Sequence, residues 1–232
     1  MDSFKLFQLS NKIRATPEFA RVQELEHFSN TVRIVETNYQ ELDRLLWLIC
    51  ESPAGEELFL TQNRSAWDEA MGETLRLLQN LAASVSALTE HSAYLHRHIY
   101  EASRRFTEHE EAVTARFSTN EVIQFVQGMT KYCLHHATDG LGTTMTILDM
   151  QNDKFEKQVT ITRSDLLDFP WNDAAMRFID HAPESIDLRE ILKDYHTSIE
   201  AFTDWFLQRT RVLNDADYQA VSDYLSGARD CG

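Results

Sequence analysis

The chain has 232 residues, of which 43% are hydrophobic, so it can bury the core of one large domain without a disulfide or metal ion to stabilise it. Its formal net charge is −15, which argues against general DNA binding, because non-specific binding to a polyanion requires lysine and arginine to neutralise phosphates. Only seven glycines and four prolines are present, and this scarcity of turn residues favours long helices.

Cysteine usage and the N-terminus indicate a cytoplasmic protein. The cysteines at 50, 133 and 231 are odd in number and lack metal-ligand spacing. Asp2 lies in an N-terminus without the apolar run of a signal peptide, and no segment approaches eighteen uninterrupted apolar residues. We therefore expect a chain that is neither exported by that route nor membrane-spanning.

The first predicted helix covers about residues 17–49. Apolar residues recur three and four positions apart through this segment, as on one face of a helix. Thr16 suits an N-cap and Pro17 the first helical position, whereas Ser52 and Pro53 end the pattern. This helix could form an N-terminal segment, residues 1–52, that packs on a core of residues 64–226.

A second apolar pattern, from Ser65 to Phe106, keeps the same spacing without a slip. It predicts a helix about 60 Å long if unbroken. Such a helix would either be the spine of an elongated bundle or break near its polar centre.

Beyond residue 117 the sequence predicts another helix and then a change of structure. Ser118 and Glu121 form a Ser-x-x-Glu capping box for a helix over about 119–137. Between residues 144 and 162, β-branched residues flank a polar turn, which predicts a small β-hairpin lying on the helices.

The C-terminal third is predicted to be helical again. A short helix is expected over about 172–180, and Asp187 is expected to cap the last long helix, which ends near Leu213 and restarts at 215–225. The fold prediction is thus a mainly all-α single domain over residues 1–232. It is an elongated bundle of long antiparallel helices with one small β-hairpin around 144–162.

The glutamates and histidines of the chain do not follow the spacings by which helical bundles bind metal ions. A di-metal carboxylate bundle requires two Glu-x-x-His pairs, and Glu24–His27 is the single pair here. His91, His96 and His98 lie on the long helix, but none of them is four residues from another. We therefore expect no metal site and no cofactor.

The segment Phe125–His136, which reads Phe-Val-Gln-Gly-Met-Thr-Lys-Tyr-Cys-Leu-His-His, carries a family resemblance. It is similar to the helix Phe-Val-Gln-x-Leu-Arg-Asn-Tyr-x-x-His of HEPN-like helical bacterial proteins. The matching positions include Gln127, Tyr132 and His135. A second segment, Arg104-Arg105-Phe-Thr-Glu-His109, resembles the Arg-x4-6-His element of HEPN ribonucleases; without that role it would be a solvated helix end.

The resemblance implies a homodimer that binds RNA or a protein partner, as a component of a defence or toxin–antitoxin-type system. In HEPN ribonucleases, histidine assists deprotonation of the ribose 2′-hydroxyl and arginine stabilises the phosphorane. Thr130 stands in the arginine position here, and Lys131 is displaced by about 100° around the helix. We therefore expect a degenerate, non-catalytic site.

Within this predicted helix, His136 shares the apolar side, whereas His135 shares the polar side with Lys131. His135 is the candidate catalytic residue if one is retained. The candidate binding residues are Lys131, Tyr132, Arg104, Arg105 and His109. Two alternatives stay open: an active metal-independent endoribonuclease with His135 as the base, and a purely structural or protein-interaction helical module, which the net charge favours.

Overall fold

The structure is a computed structural model that describes residues 11–58, 63–103, 105–136, 142–149 and 154–230. Its elements in chain order are α1 (Pro17–Cys50), α2 (Pro53–Leu58), α3 (Arg64–Leu95), a π-helical turn (His96–Tyr100), α4 (His109–Val113), a second π-helical turn (Thr114–Ser118), α5 (Glu121–His136), β1 (Gly142–Asp149), β2 (Lys154–Thr162), α6 (Arg163–Leu166), α7 (Asp173–His181), β3 (Ser185–Asp187), α8 (Leu188–Leu213) and α9 (Asp215–Asp230).

Long antiparallel helices form the body of the fold, as predicted. Helix α3 runs antiparallel to α1, because contacts link Glu24 to His98, Thr31 to His91 and Asn38 to Asn80. Helix α8 also runs antiparallel to α1, since Glu36 contacts His196 and Asp43 contacts Arg189. Within the described residues, none of the helices combines the length and apolar character of a membrane span.

The predicted ends of α1 and α8 are confirmed by their caps. The Phe19 backbone N–H donates to Thr16 Oγ1 at 3.3 Å, and Pro17 opens α1. Asp187 Oδ1 accepts from the backbone N–H of Arg189 at 2.8 Å. These side chains satisfy amides that the first turn of a helix leaves without partners. The predicted break near Leu213 is also confirmed, since α9 restarts at Asp215.

Two predicted boundaries are wrong. The capping box at Ser118 does not form, because Ser118 ends a π-helical turn and Asn120 Oδ1 caps α5 by accepting from the Ile123 N–H at 3.0 Å. The long second helix is α-helical only to Leu95 and continues as a π-helical turn to Tyr100. The helix therefore ends before Phe106, and it does not break near its polar centre.

The predicted hairpin is confirmed, and a third strand extends it. β1 pairs antiparallel with β2 over residues 142–149 and 154–160, whereas its predicted turn lies outside the described residues. The unpredicted β3 pairs antiparallel with the end of β2, with Ile161 opposite Ile186. Both of these isoleucines are buried, so the sheet is held on the helices by its apolar face.

One glycine makes the connection from α1 to α2 possible. A Cβ at Gly55 would lie 2.0 Å from the Ile49 carbonyl oxygen and 2.6 Å from that of Leu48. The start of α2 therefore presses on the last carbonyls of α1 more closely than any side chain would allow. Lys157 on β2 joins the same corner, where its buried ammonium donates to the Ser52 carbonyl at 3.1 Å.

Candidate functional site

A polar cleft lies between α3 and α5, and we name it the α3–α5 cleft. It encloses about 470 Å³, within the usual range for small-molecule sites, which is about 300–1,000 Å³. Its walls are Gln79, Ala82, Ala83 and Ser86 of α3, Gln124, Gln127, Gly128, Thr130 and Lys131 of α5, and Asn172 at the start of α7. Lys131 is the charged residue of this lining. No acidic residue takes part in the lining within the part of the chain that the structure describes.

Small residues and one aromatic side chain shape the α5 wall. Gly128 lies beneath the Trp171 ring, because a Cβ at position 128 would come within 2.7 Å of the ring. Trp171 is held by a 2.7 Å hydrogen bond from its indole N–H to the Leu166 carbonyl and by stacking on Phe125. The close approach that Gly128 allows is thus made by a side chain of the same chain.

Hydrogen bonds fix several polar groups at the mouth of the cleft. Gln124 donates through Nε2 to the Phe117 carbonyl at 3.0 Å and accepts through Oε1 from Asn172 Nδ2 at 2.7 Å. Thr130, which occupies the family's arginine position, donates its hydroxyl to the Gln127 carbonyl of its own helix at 2.8 Å. Lys131 is exposed, and no carboxylate among the described residues pairs with it. Its ammonium is therefore available to an anionic ligand.

Histidines 96 and 109 form a second cluster, beside the two π-helical turns. Their rings stack with centroids 4.4 Å apart, and His96 Nε2 lies 2.9 Å from the Phe106 carbonyl. His109 is only 2% exposed, and neither of its ring nitrogens has a hydrogen-bond partner among the described residues. Burial and the nearby His96 and Arg97 lower the pKa of His109 to about 4. It is a neutral core histidine at physiological pH.

The predicted Arg-x4-6-His element is not brought together as a site. Arg105 is exposed and donates to the Leu213 carbonyl at the end of α8, whereas His109 points inward against Phe206. The alternative expectation of a solvated helix end is wrong for His109, which lies in the core. Arg104 lies outside the described residues.

The remaining predicted site residues lie along α5. Tyr132 is buried, and its hydroxyl donates to the Asp165 carbonyl at 3.2 Å, while burial raises its pKa. His135 is one helical turn after Lys131 in α5, but its side chain lies outside the described residues, so its proposed role stays a prediction. Lys131 is thus the predicted binding residue that reaches the α3–α5 cleft.

The histidines considered as metal ligands are separated. His91 Nδ1 lies 2.9 Å from Thr31 Oγ1, and His98 Nε2 lies 3.5 Å from Glu24 Oε1. A different group of residues has ligand geometry: Glu36, His196 and Glu200 each place one potential ligand atom within 4.8 Å of the others. The sequence offered one signal for it, because His196 and Glu200 are four apart on one helix. Glu36, which is 160 residues away from His196, could not be linked to them.

Comparisons of the chain with models of protein families, with curated proteins and with solved structures found no match. What is established is a mainly helical protein with long packed helices and a small antiparallel sheet.

Proposed function

We propose that the protein is a HEPN-like helical protein that acts by binding, without catalysis, and that the α3–α5 cleft holds a nucleotide of single-stranded RNA. The observation that carries this proposal is the chemistry of the cleft: among the described residues, amide and hydroxyl groups surround Lys131, and no carboxylate lines the cleft or pairs with this lysine. Amides hydrogen-bond the edges of unstacked bases, and a lysine ammonium attracts a phosphate.

The overall charge of −15 is compatible with such a site only if few phosphates are contacted. The cleft lining meets this condition, since Lys131 is the cation that it offers. Each phosphate contact to a single strand contributes about −0.7 to the slope of log affinity against log salt concentration. One contact by Lys131 therefore corresponds to an affinity loss of about 2.6-fold between 50 and 200 mM salt.

Fluorescence anisotropy with a labelled single-stranded oligoribonucleotide tests the proposal directly. The Lys131→Gln variant is expected to bind more weakly and to lose most of the salt dependence. Lys193→Gln is the matched control, because Lys193 is an exposed lysine on α8 that pairs with Glu190. Equal affinity and equal salt slope for wild type and Lys131→Gln would remove the RNA proposal and leave the structural or protein-interaction module.

The same RNA distinguishes binding from cleavage. We expect the oligoribonucleotide to remain intact during incubation with the protein in EDTA. Cleavage that disappears in His135→Ala would instead establish the metal-independent endoribonuclease. The resemblance also implies a homodimer, and light scattering coupled to gel filtration measures the molar mass of the protein in solution.

A further inference from the structure

Glu36, His196 and Glu200 form a cluster between the two antiparallel helices α1 and α8. None of these residues lines the α3–α5 cleft. His196 Nε2 lies 2.7 Å from Glu36 Oε2, and His196 Nδ1 lies 3.6 Å from Glu200 Oε2. His196 and Glu200 are four residues apart and so share one face of α8. Glu36 supplies the third side chain from the opposite helix.

Neighbouring side chains hold two of the three groups in place. The Tyr39 ring stacks on the His196 ring at 3.7 Å with an interplanar angle of 5°. Gln40 Nε2 donates to Glu36 Oε1 at 2.6 Å, which leaves Oε2 directed at the histidine. Metal sites use such supporting contacts to orient their ligands.

The electrostatic balance around the cluster favours a cation. The Glu36 and Glu200 carboxylates lie 2.7 Å and 3.6 Å from the two ring nitrogens of His196. Arg189 lies on the same helix as His196, but its guanidinium is bound by Asp43 at 2.9 Å and Glu51 at 3.3 Å. The two carboxylates that face His196 are thus not neutralised by this arginine.

We propose that Glu36, His196 and Glu200 bind one divalent transition-metal ion of the zinc type. One imidazole nitrogen and two carboxylate oxygens match the ligands that Zn²⁺ accepts, and three protein ligands leave a position for water or a further ligand. In a tetrahedral site the ligand atoms lie about 3.4 Å apart, which follows from metal–ligand distances of about 2.1 Å. Because Glu36 contacts Nε2 and Glu200 contacts Nδ1, an ion bound to Nε2 requires the 2.7 Å contact of Glu36 to widen and the Glu200 carboxylate to move around the ring. Glu200 can make this movement, because its side chain is 58% exposed.

The site is independent of the proposed RNA cleft, because it uses α1 and α8 and none of the cleft residues. The proposed site differs from the sequence-based expectation that no metal is bound. That expectation depended on Glu-x-x-His pairs and on spacings among His91, His96 and His98, and it did not consider a histidine followed by a glutamate four residues later.

Titration calorimetry with Zn²⁺ on EDTA-treated, desalted protein tests the proposal. The wild type is expected to bind one ion at this site, and Glu200→Ala and His196→Gln are each expected to lower the affinity at least ~10-fold. His98→Gln is the matched control, because His98 also contacts a glutamate, Glu24, and should retain wild-type affinity. Mg²⁺ should bind far more weakly, since it disfavours imidazole.

Thermal unfolding provides a second readout. Zn²⁺ should raise the melting temperature of the wild type and of His98→Gln but not that of Glu200→Ala. Glu200 is exposed on a helix, so this variant keeps the fold even if His196→Gln does not. Binding of Zn²⁺ to Glu200→Ala with unchanged affinity and stoichiometry would overturn the proposal, as would the absence of Zn²⁺ binding to the wild type at millimolar concentration.

Discussion

Replacing His109 by phenylalanine should change the pH dependence of stability in a way that can be calculated from its surroundings. Its ring lies between His96, Phe106 and Phe206, and neither nitrogen has a partner among the described residues. Its pKa is lowered from 6.5 to about 4 because burial disfavours the charged form. In the unfolded chain the imidazole takes up a proton near pH 6.5, whereas the folded chain resists protonation.

The sign and size of the effect follow from this difference. Below pH 6.5 the unfolded state binds more protons than the folded state at this position, so stability falls with falling pH until the folded-state pKa near 4 is reached. Between pH 7 and pH 5 the loss is about 2 kcal/mol, and it approaches about 3 kcal/mol below pH 4. Phenylalanine cannot take up a proton, and it replaces two buried polar atoms by apolar ones.

Urea unfolding followed by far-ultraviolet circular dichroism measures the difference. At pH 7, His109→Phe is expected to be at least as stable as the wild type, because a buried polar group without a partner costs about 1–3 kcal/mol. At pH 5 the advantage of the variant should have grown by about 2 kcal/mol. His181→Gln is the control, since it also removes one imidazole, but from an exposed position. Parallel pH profiles for His109→Phe and wild type would refute the assignment of His109 as a neutral buried group.

Three further predictions concern packing around Gly55, Lys157 and Cys133. Gly55→Ala should lower the free energy of unfolding by about 1–3 kcal/mol, because the new Cβ meets backbone oxygens. The control Gly72→Ala, whose Cβ lies in open space on α3, should raise the free energy of unfolding by up to about 1 kcal/mol, and equal effects of the two changes would contradict this reasoning. Lys157→Met should lower the free energy of unfolding by about 0.5–1.5 kcal/mol, because the Ser52 carbonyl keeps the Gly55 N–H as a donor but loses the hydrogen bond from the Lys157 ammonium; unchanged stability in urea would contradict this. Iodoacetamide at pH 8 should leave Cys133 unmodified in the folded chain, because burial raises its pKa to about 11; rapid alkylation detected by mass spectrometry would contradict its buried position.

The helices could be predicted where the signal is local. Thr16 and Asp187 act as caps through bonds to amides two or three residues away, and the apolar spacing of α1 and α8 is present in the sequence itself. The Ser118 box failed for an equally local reason. A π-helical turn carries the backbone through Ser118, and Asn120 is closer to the free amides of α5.

Only the wall of the α3–α5 cleft that belongs to α5 could be predicted from the sequence. The polar face of α5, with Lys131, was evident from its sequence, but the opposite wall of the cleft comes from α3, more than forty residues earlier. Sequence separation also explains the error over His109. Its neighbour Arg105 is exposed, so the local sequence resembled a helix end. Phe206, almost a hundred residues later, encloses the His109 ring.

The cluster of Glu36, His196 and Glu200 shows how far sequence reasoning can be extended. Two of the three residues, His196 and Glu200, are recognisable as a possible ligand pair by their spacing alone. Such pairs also occur on solvated helix faces. What distinguishes this pair is tertiary: antiparallel packing brings Glu36 within 2.7 Å of the imidazole, and Tyr39 stacks on that ring. Both contributions come from α1 residues three positions apart, so the register of α1 against α8 determines whether the three ligands meet. A shift of one residue in that register would rotate Glu36 by about 100° away from His196.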